Sequence, residues 1–263
     1  MSTKTLLFSA LVFALAFSAF GQKTISPPGN QTVAQASVKL PTVAQVLENY
    51  SIAIGGREAA MRITSRTYKG KAIIAQANIA GTIESFAKPD AMTLTVMKLS
   101  GLGDFVQGFD GKTAWASDPI QGDRILAGEE LARQKSLAGF YRDQDLASAY
   151  SKLEVTGIEA VDGSDAYVLK GTLPSSDPDI LYFDKKTGFL VRSDMTAPSP
   201  AGRVKTITML SDYRQVDGIK LPFRTVTKLP QFDIVISLDE VKHNADIQNS
   251  VFAPPAAKGA LVK

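Results

Sequence analysis

The chain has no cysteine among its 263 residues. Disulfides, thiolate metal sites, a cysteine nucleophile and a lipid-modified N-terminal cysteine are therefore all excluded. Histidine is nearly as scarce. His243 is the only one, in Val241-Lys242-His243-Asn244, with no orienting acid, nucleophile or metal-ligand partner visible beside it. It reads as a surface or loop histidine, which sets aside Ser-His-Asp and zinc hydrolase chemistry. Charge of one sign is not in excess either: 29 Lys+Arg stand against 26 Asp+Glu. Nothing in that balance calls for nucleic acid as a partner. Gly55-Gly56 and Gly101-Leu102-Gly103 lack the Lys-Ser/Thr and the strand-loop-helix context of a phosphate loop. Carboxylates are paired at Glu129-Glu130, Asp143/Asp145, Asp177/Asp179 and Asp239-Glu240. None has an EF-hand continuation, and a glycosidase cleft is not readable from spacing. They read as solvated loops and helix starts. The expectation is a non-enzymatic chain with no cofactor and no metal site.

Long apolar runs are confined to one place. Lys4 precedes the run Leu6 to Phe20, and Ala19-Phe20-Gly21 follows with small residues where a signal peptidase reads. This is the pattern of a secretory signal peptide over 1–21, cut near Gly21, and it predicts a periplasmic or secreted protein. The run of about 15 residues is short of the roughly 20 a membrane span needs, and no second one follows. The mature chain is expected to have no transmembrane span. Residues 22–40 are polar, with Pro27-Pro28-Gly29, and read as a disordered leader. A single domain is expected over 41–252 and a flexible Pro/Ala-rich tail over 253–263.

A helix begins at Thr42. Thr42-x-x-Gln45 fits a capping box, and Val43, Val46, Leu47, Tyr50 and Ile54 form one apolar stripe. Gly55-Gly56 ends it, and Arg57 to Ile63 reads as a short second helical turn. Beyond Thr64 the period changes to two. Ile79 to Lys88 and Ala91 to Leu99 are strands split by Pro89-Asp90. Residues 118–150 break the run, with a helix expected from Glu129 to Asp143. After Leu153 three further hairpins follow, the last strand being Asp233 to Lys242.

The turns carry the fold. Asp-Gly occurs at Asp110-Gly111, Asp162-Gly163 and Asp217-Gly218, and Asp184-Lys185-Lys186-Thr187-Gly188 is a fourth turn of the same kind. Asp-Gly between strand-like runs is a strong hairpin signal. Sorting of side chains favours a three-residue loop with a bulge at Val216-Asp217-Gly218, placing Tyr213 opposite Leu221. Ile207, Met209, Ile219 and Phe223 then share a side, with Arg214, Lys220, Arg224 and Lys228 on the other. The same register groups Leu153 and Val155 with Tyr167 and Leu169, and sets Phe105 opposite Trp115. The basic set, with Arg203 and Lys205, reads as a solvated outer face. Each sheet segment has one apolar and one wet face, so the apolar one needs a second layer. Two helical segments cannot cover about eleven strands unless the sheet curls around them, or around something else.

These features resemble the periplasmic outer-membrane lipoprotein carrier superfamily over roughly residues 42–250. The phrases that carry the likeness are Gly108-Phe109-Asp110-Gly111-Lys112-Thr113-Ala114-Trp115, Tyr182-Phe183-Asp184-Lys185-Lys186-Thr187-Gly188 and Asp212-Tyr213-Arg214-Gln215-Val216-Asp217-Gly218-Ile219-Lys220-Leu221-Pro222. The resemblance implies an α+β, mainly antiparallel half-barrel whose N-terminal helix and helical insertion cover an apolar concave face holding acyl chains. The expected partner is a lipid or an acylated lipoprotein, carried in a transport or chaperone role. The other reading is an envelope protein-interaction or sensor module on the same scaffold. Expected wall residues are Met92, Leu94, Val96, Phe105, Trp115, Tyr213, Leu221, Phe223, Ile234, Ile236 and Leu238. Leu131, Leu137 and Phe140 are expected to form the lid.

Overall fold

The computed structural model describes residues 39–173, 177–199 and 202–255. The expected signal peptide, most of the leader and the end of the tail lie outside them. Among the described residues, Val43–Ala53 (α1), Gly56–Met61 (α2) and Gly128–Leu137 (α3) are helices. Strands β1 (Arg66–Ile74), β2 (Ile79–Lys88), β3 (Met92–Leu99), β4 (Gly103–Asp110), β5 (Ala114–Asp118) and β6 (Gly122–Ile125) precede α3. After it come β7 (Lys152–Val161), β8 (Ser164–Thr172), β9 (Asp179–Asp184), β10 (Leu190–Ser199), β11 (Gly202–Val216), β12 (Ile219–Lys228) and β13 (Asp233–His243). All pair antiparallel in one sheet of order β6-β5-β4-β3-β2-β1-β13-β12-β11-β10-β9-β8-β7. The sheet is curled and its two edges, β6 and β7, do not meet, so the architecture is the expected open half-barrel. Thirteen strands rather than about eleven are present, β6 lying in the stretch that reads as a break.

α1 forms as its sequence dictates. The Gln45 amide nitrogen donates to Thr42 Oγ1 at 3.2 Å, and the Thr42 amide to Gln45 Oε1 at 2.8 Å. Its stripe of Val46, Tyr50 and Ile54 is buried against Leu169, Leu181, Phe183 and Leu190 of the sheet. Gly55, at φ 113°, then meets the β11–β12 turn so closely that a Cβ would stand 2.1 Å from the Gly218 carbonyl oxygen. Only glycine fits there. The Lys220 amide donates to the Ile54 carbonyl at 2.8 Å, so helix end and hairpin turn are fixed to one another.

The hairpin registers correct the sequence reading. Asp217 (φ 49°) and Gly218 (φ 85°) are both left-handed, and Val216 pairs with Ile219. This is a two-residue loop of the type whose twist matches the flanking strands. Arg214 therefore does face Leu221, the pairing that charge sorting disfavours. The conflict is resolved inside β11. Asp212 takes a left-handed φ of 54°, and its carboxylate accepts from Arg214 at 2.9 and 2.6 Å. The Arg214 guanidinium lies 4.6 Å from the Phe223 ring centroid. The charge is thus neutralised locally and rests on an aromatic face.

Asp162 (φ 47°) and Gly163 (φ 82°) make the same two-residue turn, with Val161 opposite Ser164. The bulge falls instead between Val155 and Gly157, and Leu153, Val155 and Tyr167 still gather around Leu169. Phe105 does not oppose Trp115: it pairs with Met97, and Trp115 pairs with Gly108. Because neighbours alternate faces, the two aromatics lie on opposite sides of the sheet.

The helical insertion is shorter than expected. α3 stops at Leu137, and 3-10 turns at Arg142–Gln144 and Leu146–Ala149 complete the passage to β7. No residue of α3 is fully buried. Polar ties hold it: Arg124 of β6 to Glu130 at 2.9 Å, Arg133 to Asp179 of β9 at 3.0 Å, and Arg203 of β11 to Glu129 at 2.9 Å. The helix is therefore a strut between the two arms of the open sheet.

Candidate functional site

Between the middle strands and the helical layer lies a cavity of about 320 Å³. Its sheet wall is built by Ile83 of β2, Ile219, Leu221 and Phe223 of β12, and Ile236 and Leu238 of β13. Its cover is Tyr50 of α1, Ile54 at the end of that helix, Ala60 of α2, and Phe140 to Gln144 beyond α3, excepting Arg142. Arg66, Tyr68, Ser85, Tyr213, Lys220 and Thr225 add polar atoms. A second space of about 290 Å³ lies beside it, under α3, lined by Thr93, Thr95, Met97, Phe105, Gln107, Gln134 and Leu137. Ser85 of the first space and Thr95 of the second face each other in register, their hydroxyls 2.5 Å apart.

The expected wall residues divide. Tyr213, Leu221, Phe223, Ile236, Leu238 and Phe140 line the main cavity. Phe105 and Leu137 line the smaller one. Ile234 is buried on the same face in a cluster with Ile74 and Phe232, and Leu131 packs toward Phe109 and Leu126. Met92, Leu94, Val96 and Trp115 lie elsewhere. They form a cluster with Ile247 and Phe252 on the outer face, and Trp115 Nε1 donates to the Phe252 carbonyl at 3.1 Å. On β3 it is Thr93, Thr95 and Met97 that turn inward. Period-two alternation separates two faces but does not say which one the helices cover. Tyr50 and Ile54 belong to a helix stripe that was legible as facing something. Arg66, Tyr68, Ile83 and Ser85 come from strands that carried no such signal.

The tyrosines describe the medium. Burial pushes the phenols of Tyr50, Tyr68 and Tyr213 up from their ordinary value, the response of a group held away from water. At neutral pH all are uncharged, so they add neutral hydroxyls to the wall. Among the described residues no three His, Asp or Glu side chains come together as metal ligands would.

Two charged positions differ from the sequence reading. His243 is not at the surface: its side chain is 0% exposed. β13 runs on to this residue, which pairs with Arg66 of β1, so it is still within the sheet. Nδ1 lies 3.1 Å from Asp217 Oδ2, whereas Nε2 is buried without a hydrogen-bond partner among the described residues. Burial first, and the Arg66 charge second, push the imidazole pKa below its ordinary value, against an opposing pull from Asp217.

A stability prediction follows from that shift. Unfolded, His243 takes its proton near pH 6.5; folded, it does so only at lower pH. Below about pH 6.5 the unfolded chain binds more protons, so this contribution is full above that pH and is lost as pH falls. The urea midpoint should decline from pH 7.5 to 5.5, and His243→Gln should flatten the decline. An unchanged slope in that variant would assign it to other groups. Asp184 and Asp212, whose pKa values are lowered from 3.8, act only in stronger acid.

Asp179 is not a solvated loop residue either. Its side chain is 1% exposed. It opens β9 beneath α3, where Arg133 donates twice to its carboxylate, both at 3.0 Å, and Tyr150 Oη donates at 3.0 Å. The Tyr150 phenol is pushed up to about 12, by burial first and the Asp179 charge second. The basic residues are exposed but do not form one outer face: Arg214 faces Leu221 and covers Phe223, Lys220 reaches the cavity, and Arg203 pairs with Glu129 of α3.

Comparison with solved structures places this architecture. A LolA superfamily protein from Nitrosomonas europaea matches 81% of this chain and 98% of its own, at 14% identity and TM-score 0.53. A DUF1329 family protein from Desulfovibrio piger matches 80% of this chain and 97% of its own, at 14% identity and TM-score 0.52. A domain described as an outer membrane lipoprotein-sorting protein, from Vibrio parahaemolyticus, matches 79% and 94%, at 11% identity and TM-score 0.53. The fold is LolA-like. No protein-family model and no curated protein sequence matches the chain. No helix among the described residues is long and apolar enough to cross a membrane.

Proposed function

We propose that this chain is a non-catalytic carrier or sensor of the bacterial envelope that holds an acyl chain in the cavity between sheet and helices. The observation that carries the reading is the cavity itself: roofed by α1, α2 and the Phe140 segment, walled by Leu221, Phe223, Ile236 and Leu238, and about 320 Å³ in volume. That is the small end of the range for ligand pockets, about 300–1,000 Å³. A methylene needs about the room of a water molecule, roughly 30 Å³, so the space takes on the order of ten methylenes. It suits one acyl chain, not the several of a fully acylated lipoprotein. Each methylene taken from water contributes about 0.8 kcal/mol, enough for firm binding without any covalent step. The LolA-like fold supports the same reading, as does the secretory pattern of the first 21 residues.

The test is native mass spectrometry on protein recovered from membranes in mild detergent. One acyl-bearing adduct per chain is expected. Protein that stays bare after incubation with total lipid extract would overturn the proposal.

A further inference from the structure

We infer that the acyl chain held here ends in an anionic head group, and that Arg66 receives it. This rests on the acyl-chain reading and adds the chemistry of the other end of the ligand. Arg66 lines the cavity from β1. Its guanidinium lies 5.2 Å from the Phe140 ring centroid and 5.9 Å from that of Tyr68, so it sits within cation–π reach of two aromatic rings. Among the described residues no carboxylate stands within ion-pair distance of it, and its Nε is buried with no hydrogen-bond partner. By contrast Arg124, Arg133, Arg192, Arg203 and Arg214 each have an acidic partner. A partly buried cation that faces an apolar cavity without a counter-ion is placed to take an anionic partner from outside.

His243, opposite Arg66 in the ladder, is neutral at neutral pH and its Nδ1–H donates to Asp217, so its buried Nε2 is an acceptor and takes no part in holding an anion. Of the two, Arg66 alone supplies donors for the head group. Asp143 and Lys220 also line the cavity. Its wall is cationic at Arg66 and apolar along Leu221, Phe223, Ile236 and Leu238.

The ligand class is a single-chain amphiphile with a carboxylate or phosphate head: a free fatty acid or a lysophospholipid-like phosphate monoester. Calorimetric titration of the full mature chain with dodecanoate, dodecyl phosphate, dodecanol and dodecyltrimethylammonium tests it. One or both anions should bind at least tenfold tighter than dodecanol, and the cation weakest. The tighter anion names the source of the head group. Arg66→Gln, shown to be folded by a circular dichroism spectrum and urea midpoint like those of the unaltered chain, should abolish the preference. Arg66→Lys should restore part of it. Equal binding of anion and alcohol by the unaltered chain, or a preference that survives Arg66→Gln, overturns the head-group assignment alone. If no dodecyl compound binds, the acyl-chain reading itself falls.

Discussion

Asp179→Ala is expected to destabilise the protein by about 3–5 kcal/mol, the largest loss from any single charge removal among the described residues. The reason is what remains. Arg133 has 10% of its side chain exposed, and without Asp179 its guanidinium stays in that enclosed place with no anion. Tyr150 Oη loses its acceptor at 3.0 Å as well. An exposed pair such as Arg62–Glu58, with side chains 65% and 93% exposed, contributes only about 0–1 kcal/mol. Breaking the buried pair also frees the middle of α3, which has no fully buried side chain to hold it. Urea denaturation should show the midpoint falling by about 1–2 M, for a slope of a few kcal/mol per molar. The double variant Arg133→Met/Asp179→Leu separates the causes. It removes both charges and fills the space with apolar groups, so it should recover most of the loss. A cost below about 1 kcal/mol for Asp179→Ala would mean that solvent reaches the pair, and that α3 is held some other way.

That ion pair also shows where sequence reasoning stops. Asp177-Pro178-Asp179 looks like a polar loop because its partner, Arg133, lies 46 residues earlier. Local pattern does reach α1, since the capping box and apolar stripe are interactions within four residues. It reaches the strands and turns for the same reason. It fails on which face is covered. Met92, Leu94 and Val96 form a plain apolar face, and apolar faces are buried, but the segment burying this one contains Ile247 and Phe252 at the far end of the chain. The inner face of β3 is instead the more polar set, with Thr93 accepting from Gln134 at 3.3 Å. Register fails for a related reason. Placing charge away from apolar side chains is a sound rule unless the charge is cancelled on the spot, and Asp212 does that for Arg214 two residues on. His243 and Arg66 are ordinary residues one at a time; only the β1–β13 ladder makes them a pair.

Phe223→Glu should lower the affinity for a dodecyl chain by about 100-fold or more. Phe223 is 7% exposed and sits among Ile219, Leu221, Ala59, Ala60 and Ile63, at the centre of the proposed wall. A carboxylate at this position must keep water or an ion beside it. Arg214, 4.6 Å from the ring centroid it now covers, is placed to supply that ion, so the variant should fold while its wall becomes wet. The methylenes that cross this stretch then stay hydrated. Three or four of them, at about 0.8 kcal/mol each, amount to about 3 kcal/mol, which is about a hundredfold in Kd. Two controls fix the interpretation. Phe223→Leu keeps the wall apolar and should bind within about fivefold of the unaltered chain, a difference of roughly 1 kcal/mol. Arg224→Glu places the same charge one residue along, on the exposed side of β12, and should leave chain binding unchanged. If Phe223→Glu binds the dodecyl chain as the unaltered protein does, the chain does not lie along β12. If Arg224→Glu is the variant that loses binding, the occupied surface is the outer face, and the cavity is only a gap in the packing.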